Sequence, residues 1–211
     1  MIAILDGQAH GDELEGCELQ SRGGIDLPRA RAAVRELLFA LGEDPGREGL
    51  EDTPSRVARL YREVLAGRQV DPGTHLARTF EEGSGGLVLL RDIRFSSLCE
   101  HHLLPFVGRA HVAYLPQGRV VGLSKLARTV ETFARRLQVQ ERLTAQVADA
   151  LVEHLGTRGA LVVVESEHFC MRVRGVNQAE STMVTLAARG LYEHDEGARR
   201  EVLSLLRGPA R

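Results

Sequence analysis

The sequence predicts an antiparallel α+β fold, and three observations support this prediction. Apolar residues recur at helical spacing in two segments near the N-terminus and in further segments in the middle and at the end of the chain. Runs of strand character lie between these segments and come in consecutive pairs. The resulting order, ααββααββα, places paired strands side by side with helices between the pairs, which is typical of α+β domains.

The N-terminal part is predicted to hold a tail and a helical hairpin. Residues 1–27 contain glycine and acidic residues with little periodicity, and we expect them to form a disordered tail. A helical hairpin is expected at 28–67, its first helix having Asp26 near the cap and Pro28 in the first turn. Residues 68–86 are predicted to be a polar connection without regular structure. The expected apolar stripe of the first helix consists of Ala30, Ala33, Val34, Leu37, Leu38 and Leu41.

The remaining residues, 87–211, are predicted to form the main domain. Its expected elements are strands at 87–95 and 106–115, a helix capped by Ser124, a helix at about 141–155, strands at 160–164 and 182–188, and a last helix capped by Asp195. The four strands would form one sheet with two edges. Because exposed edges invite pairing with other chains, oligomerisation would be one way to cover them.

Composition excludes several classes of protein. The net charge of -2 provides no overall attraction to nucleic acid or to a membrane surface. Three cysteines, an odd number, argue against a secreted disulfide scaffold. The first five residues are too short for the apolar part of a signal peptide, and no apolar run approaches the roughly 18 residues that a membrane span needs. We therefore expect a cytoplasmic protein with neither nucleic acid nor membrane as a partner.

Two short motifs, roughly seventy residues apart, could build a metal site. The first runs from Cys99 to His102 and includes His101, and the second contains His168 and Cys170. Two thiolates and one imidazole form a ligand set that suits Zn²⁺, and three protein ligands leave the fourth position open for water. We predict Cys99, His102 and Cys170 as ligands, with the other two histidines beside the metal as proton carriers.

The two cysteines of these motifs could also have purely structural roles. A cysteine is often a small buried hydrophobic residue, and Cys99 could instead pair with Cys170 in a disulfide. Disulfides are rare inside cells, which disfavours this pairing. A closed structural zinc site would need a fourth ligand, and Cys17 in the predicted tail is the remaining cysteine.

From about Leu37 to Leu206 the chain resembles the zinc-dependent GTP cyclohydrolase I family. The resemblance rests on several runs in the order and near the spacings of the family, and together these runs are very specific. They are Leu41-Gly42-Glu43-Asp44-Pro45, Arg47-Glu48-Gly49-Leu50, Asp52-Thr53-Pro54 with Arg56, Cys99-Glu100-His101-His102-Leu103-Leu104-Pro105-Phe106, Gly122-Leu123-Ser124-Lys125-Leu126-Ala127-Arg128, Gln138-Val139-Gln140-Glu141-Arg142-Leu143-Thr144, and His168-Phe169-Cys170-Met171 through Arg174-Gly175-Val176.

The resemblance implies an architecture and a reaction. The expected architecture is the tunnelling fold (T-fold), in which antiparallel strand pairs and helices close into a toroidal barrel by fivefold association. Two such rings meet face to face, so a homodecamer is expected. The expected reaction converts GTP and water to 7,8-dihydroneopterin triphosphate and formate, at the entry to tetrahydrofolate synthesis.

The resemblance also implies chemical roles for the residues of this chain that match the family motifs. The resemblance implies that Cys99, His102 and Cys170 hold Zn²⁺, which activates the attacking water. It implies that His168 protonates N7 of the guanine ring as the ring opens, a task that suits an imidazole. His101 would assist later proton transfers on the ribose; the alternative is that His101 only supports the metal site.

Substrate contacts are implied in the same way. Glu141 matches the carboxylate that accepts from N1–H and the exocyclic amine of guanine, and Gln140 is expected to line the same pocket. From the residues alone, Glu141 would be a solvated acid in the first turn of a helix, stabilised by the helix dipole.

The triphosphate is expected at a helix start. There, free N–H groups and the helix dipole would favour phosphate beside Ser124, Lys125 and Arg128. Arg174 would add a forked donor, and Arg56 is a further candidate that could equally be a surface residue. Ser124 also counts among the expected catalytic residues. The alternative is a plain capped helix with surface cations.

Three functions therefore compete. The first is a complete GTP cyclohydrolase I. The second is a related tunnelling-fold hydrolase that stops after ring opening or acts on another purine or pterin. The third is a zinc-stabilised scaffold without catalysis, which would unfold when the metal is removed, whereas an open catalytic site would lose activity and largely keep its fold.

Overall fold

The computed structural model describes residues 24–83 and 85–207. Of the predicted disordered tail, residues 1–23 lie outside the described residues, and Leu27 already belongs to the first helix. None of the described helices is both long and apolar enough to span a membrane.

The predicted helical hairpin is present as α1, Leu27–Ala40, and α2, Thr53–Val64. The side chain of Asp26 accepts a hydrogen bond from the backbone N–H of Arg29 at 3.0 Å, which confirms the predicted N-terminal cap. No residue of α1 is buried. Within the described residues the predicted apolar stripe is covered only in part: Ala30, Val34 and Leu38 are half-buried, whereas Leu41, at its end, is 68% exposed.

The prediction of an irregular connection over 68–86 is wrong in part. The segment contains the end of a 3₁₀ turn, Ala66–Gln69, a short helix α3, Gly73–Leu76, and a strand β1, Thr79–Glu81. β1 pairs antiparallel with β4, Arg119–Val121, a strand that sequence analysis did not predict. Elements of three or four residues are too short to show a periodicity, so the sequence pattern could not reveal them.

The main sheet contains the two predicted strand pairs and one additional short strand. Its strands are β2, Val88–Cys99, β3, Pro105–Leu115, β5, Leu137–Gln138, β6, Gly159–His168, and β7, Met183–Gly190. Their order in the sheet is β5-β2-β3-β6-β7; the pairs β2–β3, β3–β6 and β6–β7 are antiparallel, and β5 runs parallel to β2.

Helices α4, Leu123–Ala134, and α5, Gln140–Leu155, pack against this sheet and enclose the larger core. The predicted cap at Ser124 is wrong by two residues, because the helix is preceded by Gly122 and Ser124 lies inside its first turn. The remaining helices are α6, Phe169–Arg172, α7, Leu191–His194, and α8, Glu196–Arg207. Asp195 accepts from the N–H of Ala198 at 2.9 Å and caps α8 as predicted.

Candidate metal and substrate site

A tight turn between β2 and β3 carries the first motif. Cys99 is the last residue of β2; its N–H donates to the carbonyl of Leu104 at 2.8 Å, and its carbonyl accepts from Leu103 at 2.9 Å. Closing the turn so tightly places Leu103 in the left-handed region, with φ 54°. The histidines at the tip, His101 and His102, are exposed, whereas Cys99 is buried.

Strand pairing brings the second motif to the same place. β6 lies antiparallel beside β3, with His168 opposite Phe106, and α6 follows directly. The ligand atoms of Cys99, His102 and Cys170 consequently lie within 4.8 Å of one another. Among the described residues, no other group of three possible metal-ligating side chains has this geometry.

The donor chemistry of this group fits a zinc ion. Tetrahedral zinc binds thiolate sulfur at about 2.3 Å and imidazole nitrogen at about 2.0 Å, so its ligand atoms stand a few ångströms apart, as they do here. Both Cys99 and Cys170 are free cysteines, so the alternative of a disulfide between them does not hold. Burial raises the pKa of the Cys170 thiol, and the neighbouring Cys99 raises that pKa further. A bound cation would offset this cost by favouring the thiolates.

Two further side chains adjoin the ligand group. Arg174 Nη1 lies 2.6 Å from His102 Nε2, so the predicted phosphate-binding arginine is beside a predicted ligand. His101 Nδ1 lies 3.9 Å from the sulfur of Cys99. Nε2 of His102 has one lone pair, which can be given either to the guanidinium or to a metal ion.

His168 is held against the sheet beside this group. Its ring is stacked on Phe106, and its Nε2 lies 2.9 Å from the side-chain oxygen of Gln140. Burial lowers the pKa of His168, an effect that the negative charge of Glu141 opposes. The ring is thus fixed on two sides and lies within the electrostatic reach of the carboxylate expected to bind guanine.

Comparisons with known proteins agree with this geometry. A family model described as GTP cyclohydrolase I matches residues 30–207. The chain belongs to the GTP cyclohydrolase I family. A GTP cyclohydrolase 1 of Geobacillus sp. is 58% identical over 185 residues, which cover 87% of this chain and 98% of that relative. The GTP cyclohydrolase 1 of Rhodopirellula baltica is 57% identical over 86% of this chain and 80% of that relative. The GTP cyclohydrolase 1 of Desulforamulus reducens is 53% identical over 86% of this chain and 98% of that relative.

Membership of the GTP cyclohydrolase I family accounts for the arrangement of strands and helices. The antiparallel strand pairs, with α4 and α5 against the sheet, have the arrangement of a tunnelling fold.

In this family member, Arg174 lies beside the metal group, whereas the other residues expected to bind triphosphate lie along α4. Ser124, Lys125 and Arg128 occupy the first two turns of α4. The hydroxyl of Ser97, two residues before the first cysteine ligand, donates to the carbonyl of Ala134 at 2.7 Å, so the metal end of β2 lies against the last turn of α4. Since an α-helix rises 1.5 Å per residue, Ser124 lies about 15 Å from that turn. Ser124 and Lys125 are therefore at the end of α4 far from the metal group, and Arg128 is near its middle.

The remaining predicted substrate residues have different surroundings. Glu141 is exposed in the first turn of α5, where it is free to contact a ligand. Gln140 precedes it but is 0% exposed. Arg56 is exposed on α2 and pairs with Asp52 at 3.2 Å, which is the surface arrangement that sequence analysis left open.

Sequence reasoning assigned no role to two groups that support the site. Arg142 forms an ion pair with Glu100 and donates to the side-chain oxygen of Gln138 at 3.2 Å, while the N–H of Glu100 donates to the carbonyl of Gln138 at 3.0 Å. These contacts attach the turn of the first motif to the start of α5.

Ser166 is the second of these groups. It lies two residues before His168 and shares its face of β6, and the two-residue periodicity of a strand could have identified Ser166 as a neighbour of the site.

Proposed function

We propose that this chain is a GTP cyclohydrolase I that hydrolyses GTP to 7,8-dihydroneopterin triphosphate and formate, the first step of tetrahydrofolate or pterin biosynthesis. The observation that carries the proposal is the convergence of Cys99, His102 and Cys170 within 4.8 Å of one another, next to His168, in a member of this family.

We propose Zn²⁺ as the metal, held by Cys99, His102 and Cys170. A zinc ion would supply a Lewis acid for the activation of water. Glu141 would accept hydrogen bonds from N1–H and the exocyclic amine of guanine, and its first-turn position leaves the carboxylate exposed for this purpose. His168 would donate a proton to N7 as the ring opens, and the exposed His101 would move protons in the later steps on the ribose.

The substrate pocket would be completed by a second copy of the chain. Ser124, Lys125 and Arg128 would bind the triphosphate, but along α4 Ser124 stands about 15 Å and Arg128 about 9 Å from the end that adjoins the metal group. Apolar side chains on α1 and on the edge strand β7 are exposed and could be covered by other subunits; they are Leu37, Phe39, Leu41, Val184 and Leu186. A homodecamer of two face-to-face pentamers is the assembly that we propose.

A product assay tests the function. Zinc-loaded protein is incubated with GTP, and formate and oxidised fluorescent neopterin are quantified with and without a chelator. We expect equal amounts of both products and the loss of both on chelation. Formate without neopterin would instead indicate a hydrolase that stops after ring opening, and no turnover by a folded, metal-loaded oligomer would favour another substrate or a scaffold.

Substitution of His168 by alanine separates catalysis from metal binding. We expect His168→Ala to abolish turnover and to retain zinc, since the ring is not one of the proposed ligands. Unchanged turnover would contradict the role of His168.

A cytoplasmic location stays a prediction from cysteine usage, which fractionation of the cells that produce the protein would test.

A further inference from the structure

The side-chain amide of Gln140 has one possible orientation in this structure. The amide is fully buried, and its Nε2 lies 2.9 Å from the carbonyl oxygen of Val164 and 3.0 Å from that of Met183. Carbonyl oxygens only accept hydrogen bonds, so the NH₂ group must face both of them. A flipped amide would place two carbonyl oxygens against a third oxygen in a buried site, which is unfavourable.

This orientation determines what the other end of the amide contacts. The oxygen Oε1 lies 2.6 Å from the hydroxyl of Ser166 and 2.9 Å from Nε2 of His168. Since Oε1 only accepts, both partners must donate, and His168 must carry a proton on Nε2. In the neutral ring, Nδ1 is then the nitrogen without a proton, so Nδ1 must take up a proton before His168 can donate one to N7.

We propose that Gln140 is a positioning residue that holds His168 with its proton on Nε2 and reserves Nδ1 for proton exchange with the substrate. The part of this inference that concerns proton exchange with the substrate rests on the proposed function. It also replaces the expectation that Gln140 lines the guanine pocket. Every polar atom of its side chain is already hydrogen-bonded, and the residue has no exposed surface for a ligand to contact.

The surroundings of Gln140 make it a rigid support. Its amide bridges β6 and β7, and its Nε2 also lies 3.1 Å from the hydroxyl of Thr185. Its own carbonyl accepts from the hydroxyl of Thr144 at 2.7 Å, inside α5. Because Gln140 begins α5 and Glu141 follows, one helix start would position both the proposed guanine carboxylate and the proton-transfer histidine.

The tautomer of His168 can be measured on the resting protein. Zinc-loaded protein with ¹⁵N-labelled histidine is studied by solid-state NMR at a pH where the ring is neutral, and the His168 signals are assigned by their loss in His168→Ala. We expect the proton on Nε2 in the unsubstituted protein. A proton on Nδ1 would overturn the proposal, whatever any variant does. Because no GTP is present, this result is independent of whether the protein turns GTP over.

Two variants then test the role in catalysis. Gln140→Met removes the acceptor for His168, whereas the matched control Ser166→Ala removes the second donor to the same oxygen and leaves the His168 contact in place. General acid–base catalysis contributes about 10²-fold to 10⁴-fold, so we expect Gln140→Met to lower kcat by at least about tenfold with little change in KM, and Ser166→Ala to have a much smaller effect. Equal losses in the two variants, or an unchanged tautomer in Gln140→Met, would show that Gln140 has only a structural role.

Discussion

The imidazole of His168 lies flat on the phenyl ring of Phe106, with ring centroids 4.7 Å apart and planes 2° apart. The two residues face each other across β3 and β6, so the stack follows directly from the strand register. Phe106 is fully buried and packs against Phe95 in a T-shaped arrangement, with ring centroids 5.9 Å apart. The hydrogen bond to Gln140 restrains the imidazole of His168 in one direction. The phenyl ring of Phe106 therefore restrains it in a direction that this hydrogen bond leaves free.

Removing this stack should affect turnover more than folding. Leucine at position 106 fills part of the buried volume but offers no flat surface, so we expect Phe106→Leu to lower kcat several-fold and to reduce stability by about 1 kcal/mol. Steady-state kinetics and urea denaturation measure the two effects. Phe95→Leu is the matched control, because Phe95 touches Phe106 but has no ring contact with His168. An equal loss of kcat in the control would argue against a role of the stack.

Loss of a thiolate ligand should remove the metal and leave the fold. The described core of this domain is built from apolar side chains on the sheet, α4 and α5, so the fold does not depend on the metal group alone. We expect Cys170→Ser to reduce bound zinc to a small fraction of one ion per subunit and to abolish turnover, with far-ultraviolet circular dichroism unchanged. Cys17→Ser is the control and should bind zinc normally. Unfolding on zinc removal would support the scaffold function.

Mixed oligomers should show whether two copies share a site. Cys170→Ser removes the metal group, and Lys125→Ala removes a proposed phosphate contact about one helix length away. If each site takes these parts from different subunits, inactive variants that are refolded together should form some intact sites and recover a measurable fraction of activity. Refolding each variant alone provides the control. No recovery in mixed oligomers, verified by native mass spectrometry, would contradict a shared pocket.

The burial of His111 predicts how the free energy of unfolding of this protein depends on pH. It is buried on β3, and its Nδ1 accepts from the backbone N–H of Asp92, which has φ 60° at a bulge of β2. Burial lowers the pKa of His111 below 6.5; Glu165 and Asp92 oppose this shift, and Arg91 and Arg109 add to it. A lowered pKa means that the unfolded chain takes up the proton first as the pH falls.

The contribution of His111 to stability should therefore be complete above the unfolded pKa of 6.5 and decrease as the pH falls from there to its lower folded pKa. His111→Asn retains an acceptor for Asp92 but cannot titrate, so its loss of stability on acidification should be smaller. Urea midpoints at about pH 7.5 and about pH 5.5 measure the difference. Parallel losses in both proteins would show that His111 does not contribute.

Local sequence patterns predicted some features of this protein correctly and missed others. The sequence identifies Asp26 and Asp195 as caps because a short polar side chain directly before an apolar periodic segment is typical of a helix N-terminus. Cys99 and His102 were identified as a pair because three residues in a turn bring two side chains within reach of one ion. In contrast, β1 and β4 were missed because they exist only through pairing with each other.

The amino-acid sequence alone indicates which chemical groups are available: two thiols and an imidazole that fit a metal, a histidine near them in the chain, and motifs that identify the family. How these groups are arranged follows from the tertiary structure. The register of β6 against β3 places Cys170 beside Cys99 and lays His168 on Phe106. Burial between β6 and β7 gives Gln140 its single orientation. Such relationships depend on pairing between residues distant in the chain, and a local pattern carries no information about that register.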